Sequence, residues 1–166
     1  ETPEDNGISH FLEHMFFKGT KNRPSSLAIS SLIDGIGGSF NAFTSKEYTG
    51  FYVKSASEHL NLILDVLSDM LANSLYDEKE LEKEKGVIIE EINMYEDQPQ
   101  ARVGELFEKL LYDGSPLAKR ISGEKENIRR MTREKIVNYV NKKYHTASIV
   151  IGIAGEIGTS REGRGA

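Results

Sequence analysis

Two histidines and a glutamate near the start of the chain have the spacing of a metal site with its own base. His10 and His14 are four residues apart, and Glu13 precedes the second histidine, giving the pattern H-x-x-E-H. On a helix, residues four apart lie on one face, so both imidazoles can bind one ion. Two imidazoles beside a carboxylate are typical of a catalytic zinc. The pattern therefore predicts a helical zinc site; the alternative is an ordinary helix that carries two histidines.

A third ligand is expected, because a catalytic zinc usually has three protein ligands and one open position. The chain has no cysteine, so this ligand must be a histidine, an aspartate or a glutamate. The segment Asp77–Asp97 has helical composition and no proline. At about 100° per residue, Glu84 and Glu91 fall on its apolar stripe, and Glu90 points to the opposite side. The apolar members of the stripe are Leu81, Ile88, Ile92 and Tyr95.

A carboxylate on a buried stripe is costly unless it is paired or binds a metal. We therefore predict that Glu91 is the third ligand. Glu84 is predicted to hydrogen-bond a ligand histidine and so to tune the site from outside the ligand set. The alternative is that both carboxylates cap the helix or form ion pairs along its edge.

The chain resembles the pitrilysin family of zinc peptidases, the inverzincins, which include insulin-degrading enzyme and the mitochondrial processing peptidase. The resemblance rests on the H-x-x-E-H pattern, on the following Met15–Thr20, and on a glutamate 77 residues after the second histidine, which is Glu91. A second family glutamate, one heptad earlier, matches Glu84. The resemblance runs from about residue 1 to about residue 155 and is closest to the processing-peptidase branch and its bacterial relatives.

The segment Gly37–Thr44 resembles the substrate-binding strand of that family. The resemblance implies that Asn41 and Ala42 lie nearest the scissile bond and that Phe43 also contacts substrate. Taken without the family, the same segment is an ordinary hairpin strand. A peptide could bind such a strand by adding to it as an extra strand.

The function expected is that of a zinc-dependent metalloendopeptidase acting on extended peptides or unfolded segments. One Zn²⁺ per chain, held by His10, His14 and Glu91, would lower the pKa of its water to about 7. Glu13 would take a proton from that water and return it to the departing amine. The alternative function is that of a non-catalytic, processing-peptidase-like subunit used in assembly or substrate presentation. Such subunits typically lose a ligand or the base, whereas this chain has all four residues.

Composition excludes other classes of function. The net charge is −5 and basic residues form no cluster, so a nucleic-acid partner is not expected. The longest apolar run, Ala147–Ala154, is too short to span a membrane and has the length of a strand. A chain without cysteine has no disulfides. We expect a cytoplasmic location in a prokaryote.

The order of the predicted elements indicates an α+β fold, with helices packed on one face of a mostly antiparallel sheet. Two helices are expected before a hairpin, several helices after it, and a strand at Ala147–Ala154; Asn6 or Ser9 is expected to cap the first helix. The predicted peptidase domain is 1–155, and 156–166 is expected to be disordered or artificial.

In the resembled family, strands precede the loop at residues 1–7 and a second homologous half follows far downstream. The chain therefore reads as a fragment that lacks its first strands and needs a second half or subunit to close the substrate chamber. We predict that it binds zinc yet cleaves peptides poorly alone. An unpaired sheet edge would also favour a homodimer.

Overall fold

Helices dominate the chain in the computed structural model, which describes residues 1–156. The elements, in chain order, are α1 (Ile8–Phe16), α2 (Ser26–Gly35), β1 (Ser39–Thr44), β2 (Thr49–Lys54), α3 (Leu60–Asn73), α4 (Glu78–Glu96), α5 (Pro99–Leu111), α6 (Lys125–Arg129) and α7 (Arg133–Lys143). The sequence predicted each of these except α6. Side-chain oxygens cap three of the helices at their first turns, from Ser25, Asp77 and Thr132.

Helix α1 runs through the core. Five of its nine residues are fully buried apolar side chains: Ile8, Phe11, Leu12, Met15 and Phe16. The ring of Phe16 packs edge-on against Phe51 of β2 at 5.2 Å between ring centroids. Burial on this scale fixes the rotation of α1 about its axis, and so fixes the direction of its polar residues.

The predicted cap of α1 by Asn6 or Ser9 is wrong. The carboxylate of Glu1 accepts hydrogen bonds from the backbone N–H groups of Gly7, at 3.0 Å, and Ser9, at 2.9 Å. Gly7 itself has a φ of 96° and lies so close to Gly123 that a Cβ there would come within 2.8 Å of the Gly123 Cα. The chain reaches α1 by a tight left-handed turn, and the carboxylate of Glu1, six and eight residues before these two donors, satisfies them.

The hairpin forms the sheet of the described residues, with β1 antiparallel to β2 and Thr44 opposite Thr49 as the last pair before the turn. Along β1, exposed and half-buried residues alternate. The half-buried set is Phe40, Ala42 and Thr44. Helices α1, α2 and α3 contact the hairpin on this inner face. The predicted α+β class, with helices on one face of an antiparallel sheet, is confirmed.

Two sequence predictions about these elements are wrong. Ala147–Ala154 is not a strand: after a short 3₁₀ turn at Thr146–Ser148 the backbone pairs with no strand of residues 1–156, and Val150 is 96% exposed. β-Branched residues favour a strand only where a partner edge is present. Tyr95 is 38% exposed rather than part of the buried stripe, because the last turn of α4 extends beyond the core.

Of the predicted tail 156–166, all but the first residue lies outside the described residues. Among residues 1–156, no helix combines the length and the apolar composition needed to cross a bilayer.

Candidate metal and catalytic site

Helix α1 presents both histidines of the H-x-x-E-H pattern on one face. His10 is 8% exposed, and His14 is half-buried one turn further along. The two imidazole rings meet edge to face, with 4.8 Å between their centroids. Because the apolar side of α1 is fixed in the core, the pair is held in one orientation before any ligand binds.

Helix α4 brings Glu91 to the same place. Its Oε2 lies 3.5 Å from Nε2 of His10 and 3.6 Å from Nε2 of His14. Donor atoms of these three residues all lie within 4.8 Å of one another. Glu90, the neighbour that the helical phase excluded, is exposed. The buried residues Leu81, Ile88 and Ile92 anchor α4 and set this rotation.

The donor set fits a zinc ion. Ligand atoms at about 2.0–2.1 Å from a tetrahedral zinc lie roughly 3.3 Å from one another, close to the separations that Glu91 makes with His10 and His14. Two imidazole nitrogens and one carboxylate oxygen are a ligand set found in catalytic zinc sites. The three residues that the sequence predicted as ligands are therefore brought together, and they could hold one ion.

Glu84 lies on the other side of His14. Its Oε2 is 3.1 Å from Nδ1 of His14, and its Oε1 is 2.5 Å from Nζ of Lys18. Glu84 is only 4% exposed, so the two cations offset the cost of burying its charge. A carboxylate on the far nitrogen fixes which ring nitrogen of His14 faces the donor cluster. By contrast, Nδ1 of His10 is buried without a hydrogen-bond partner among residues 1–156.

The surroundings give the two histidines different charges when no metal is bound. Burial opposes the charge of His14, but hydrogen bonds to Glu84 and Glu91 outweigh it and raise the pKa of His14 to about 9. Burial lowers the pKa of His10 in spite of the attraction of Glu91. The hydrogen bond from His14 lowers the pKa of Glu91. Only a neutral imidazole binds a metal, so a metal at neutral pH must displace the proton of His14.

The metal-free chain should therefore lose stability as the pH rises from about 6.5 to about 9. The pKa of His14 is higher in the folded chain than its ordinary value of 6.5, so its contribution is complete below pH 6.5 and is lost as the pH passes its folded pKa. The loss should be at most about 3 kcal/mol. Urea unfolding of chelator-treated protein across this range measures it. His14→Gln should remove the dependence, and a wild-type midpoint that stays constant or rises with pH would contradict the assignment.

Glu13 lies on α1 between the two histidines in sequence and is half-buried. Its Oε2 accepts a hydrogen bond from the Thr44 hydroxyl at 2.5 Å. This contact joins α1 to the inner face of β1.

The structure places the predicted substrate residues along β1. Asn41 and Phe43 are exposed and Ala42 is half-buried on the inner face. The Asn41 Oδ1 accepts a hydrogen bond from the Ala42 N–H at 2.9 Å, and the Phe43 ring packs edge-on against Tyr48. Thr44, one residue further, is the residue of the strand that bonds Glu13.

Sequence reasoning missed Thr44 and Lys18 as site residues. A weak signal existed for Thr44, which shares the inner face of β1 with Phe40 and Ala42 through the two-residue period of a strand. Lys18 follows His14 by four residues but lies two residues beyond the last residue of α1, so the helical spacing gave only a weak signal for it. Neither spacing by itself identifies the carboxylate that each side chain meets.

Comparison with known proteins identifies the family. Residues 1–125 match the family model described as insulinase, peptidase family M16. The chain is 49% identical over 160 residues to an uncharacterized zinc protease, YmxG, of Bacillus subtilis, covering 96% of this chain and 39% of that protein. It is 38% identical over 157 residues to the mitochondrial-processing peptidase subunit beta of Dictyostelium discoideum, covering 95% of this chain and 34% of that protein.

A third relative is subunit 1 of the mitochondrial cytochrome b-c1 complex of Mus musculus, 34% identical over 95% of this chain and 32% of that protein. Among solved structures, a protease from Helicobacter pylori superposes with a TM-score of 0.79 at 26% identity, over 84% of this chain and 33% of that one. The chain spans between about a third and two fifths of the length of these curated relatives. The predicted resemblance is confirmed, and the chain belongs to peptidase family M16, the insulinase family.

Proposed function

We propose that the chain carries the zinc centre of a metalloendopeptidase that hydrolyses peptide bonds in extended peptides or unfolded segments. The observation that carries the proposal is the convergence of His10, His14 and Glu91 from two helices, with Glu13 on the same helix as both histidines. The relatives named as zinc proteases support the same chemistry.

The proposed mechanism divides the work between the metal and the protein. Bound zinc would supply positive charge that acidifies water and polarises the peptide carbonyl. Glu13 would accept a proton from the attacking water and deliver it to the departing amine. Glu84 would keep the ring of His14 oriented through Nδ1, leaving Nε2 for the metal. Lys18 would hold Glu84 in place through its second oxygen.

The substrate proposal rests on β1. Within residues 1–156 each strand of the hairpin has one edge without a partner, and an open edge can accept an extended peptide through backbone hydrogen bonds. Asn41, Ala42 and Phe43 would supply the contacts. Binding of this kind is largely independent of side chains, so the peptide class is extended and unstructured.

A non-catalytic subunit is the second candidate function. Its support is the relative that is named as a subunit of the cytochrome b-c1 complex. The chain has the base Glu13 and all three predicted ligands, and the ligands His10, His14 and Glu91 converge. This favours the catalytic candidate.

The partner proposal is a second homologous half or subunit that closes the chamber. The short span of the chain relative to its relatives supports it. The 166-residue chain alone should then cleave slowly. Mass spectrometry of an unstructured peptide, incubated for long periods with zinc-loaded chain, tests whether the chain cleaves peptides and whether it needs a partner. Slow cleavage that a chelator abolishes is expected; fast cleavage would contradict the need for a partner, and zinc-loaded protein without any cleavage would favour the non-catalytic role.

The open hairpin edges also support a homodimer, because unpaired strands recruit strands from other molecules. We expect light scattering at high protein concentration to give the mass of a dimer. A monomer over the same concentration range would contradict this proposal and would leave the zinc site unaffected. The cytoplasm is the proposed compartment, which fractionation of the source cells would test.

A further inference from the structure

We infer that Thr44 is a positioning residue for Glu13, joining the strand that would bind substrate to the base that would act on it. The inference rests on the proposed peptidase function. It starts from the hydrogen bond of 2.5 Å between the Thr44 hydroxyl and Oε2 of Glu13, two residues that are 31 positions apart in sequence. This length is at the short end for a hydroxyl donating to a carboxylate, and bonds to an ionised acceptor are the stronger kind.

The bond leaves one oxygen of the base available. Oε2 of Glu13 is engaged by Thr44, and among residues 1–156 Oε1 makes no hydrogen bond. A free glutamate side chain samples several rotamers. Fixing one oxygen from outside α1 restricts the carboxylate to few orientations while its second oxygen can still exchange a proton. Holding a reacting group in place in this way contributes directly to rate.

The direction of the bond follows from the donors and acceptors present. An ionised carboxylate only accepts hydrogen bonds, and a hydroxyl has one proton. Thr44 must therefore donate to Glu13. The hydroxyl of Thr49, opposite on β2, lies 3.4 Å from that of Thr44, which is longer than an ordinary O–H···O hydrogen bond, so it does not compete strongly for that proton.

The position of Thr44 on β1 gives the contact a functional meaning. It follows Asn41, Ala42 and Phe43 without a break and ends the strand. A peptide that adds to β1 would be aligned by a strand whose last residue bonds Glu13 through its side-chain hydroxyl. The strand β1 would therefore set both the register of the peptide and the orientation of the Glu13 carboxylate.

The test compares Thr44→Val, which keeps the shape and removes the donor, with Thr44→Ser, which keeps the donor. Thr146→Val, at an exposed threonine that makes no hydrogen bond to Glu13 or Thr44, is the matched control. In protein labelled with ¹³C-glutamate, the Glu13 carboxyl signal is assigned by its loss in Glu13→Gln. We expect it to shift in T44V, to return toward the wild-type position in T44S, and to stay in place in T146V.

The zinc-loaded variants are then assayed on the unstructured peptide. We expect T44V to lower kcat about 10- to 100-fold, less than the loss of about 100- to 10,000-fold typical of removing a general base, because Glu13 itself remains. KM should change less than about twofold, and T44S should recover most of kcat. An unmoved Glu13 signal in T44V, or equal losses in T44V and T44S, would overturn the inference. Failure of the proposed function looks different: the wild-type protein with bound zinc cleaves nothing, while the Glu13 signal still reports the Thr44 contact.

Discussion

Glu91→Gln should weaken zinc binding by the chain at least about 100-fold. The Oε2 atom of Glu91 faces both imidazole Nε2 atoms, at 3.5 and 3.6 Å, and an amide in its place is neutral and a much weaker ligand. Loss of a hydrogen-bond partner outside the ligand set already costs about 10- to 100-fold in affinity, so loss of a ligand should cost more. Competition with a chromophoric chelator at fixed pH measures the effect.

Two variants on the same helix serve as controls for that measurement. Glu90→Gln removes the same charge one residue away on the exposed side of α4 and should leave zinc affinity unchanged within about twofold. Glu84→Gln should have an intermediate effect of about 10- to 100-fold, because it acts on the metal only through the His14 ring. Equal losses for the Glu90 and Glu91 variants would mean that the effect is one of overall charge, and would contradict the ligand assignment.

Glu13→Gln should abolish peptide cleavage while leaving zinc bound. Glutamine has the size of glutamate and can still accept a hydrogen bond from Thr44, but it cannot take up a proton. Loss of a general base typically costs about 100- to 10,000-fold in rate. Because the isolated chain is expected to be slow, product should be counted by mass spectrometry after long incubation, with zinc content measured on the same samples.

Measuring zinc content and peptide cleavage on the same samples separates a catalytic role of Glu13 from a role in holding the metal. A variant that loses both zinc and activity would indicate that Glu13 supports the metal site instead of acting as the base. A variant that keeps its zinc and cleaves as fast as the wild-type protein would contradict the catalytic role. Glu47→Gln, an exposed glutamate in the turn between β1 and β2, is a suitable control and should change neither quantity.

Helical phase gave the sequence analysis its strongest inference about the site. Counting at about 100° per residue chose Glu91 over Glu90 and placed Glu84 on the same face, and the structure brings both carboxylates against the histidines of α1. The hairpin was equally readable, since alternation along β1 and a short connection define it locally. Patterns that repeat within one element are recoverable because the backbone geometry alone determines them.

Features that depend on contacts between distant segments were not recoverable. The cap of α1 comes from Glu1, whose position depends on the folded path of the first seven residues. Thr44 meets Glu13 only because the hairpin packs on α1. The apolar segment at Ala147–Ala154 has the composition of a strand, yet composition reports the capacity to pair, and no strand of residues 1–156 pairs with it.

The most direct test of the account is the zinc content of the purified 166-residue chain, measured by elemental analysis after exhaustive dialysis. The convergence of His10, His14 and Glu91 predicts close to one zinc per chain. The same measurement on Glu91→Gln should give a clearly lower value. A wild-type content near zero, in protein that is folded by circular dichroism and supplied with zinc before dialysis, would contradict the claim that this chain builds the metal site.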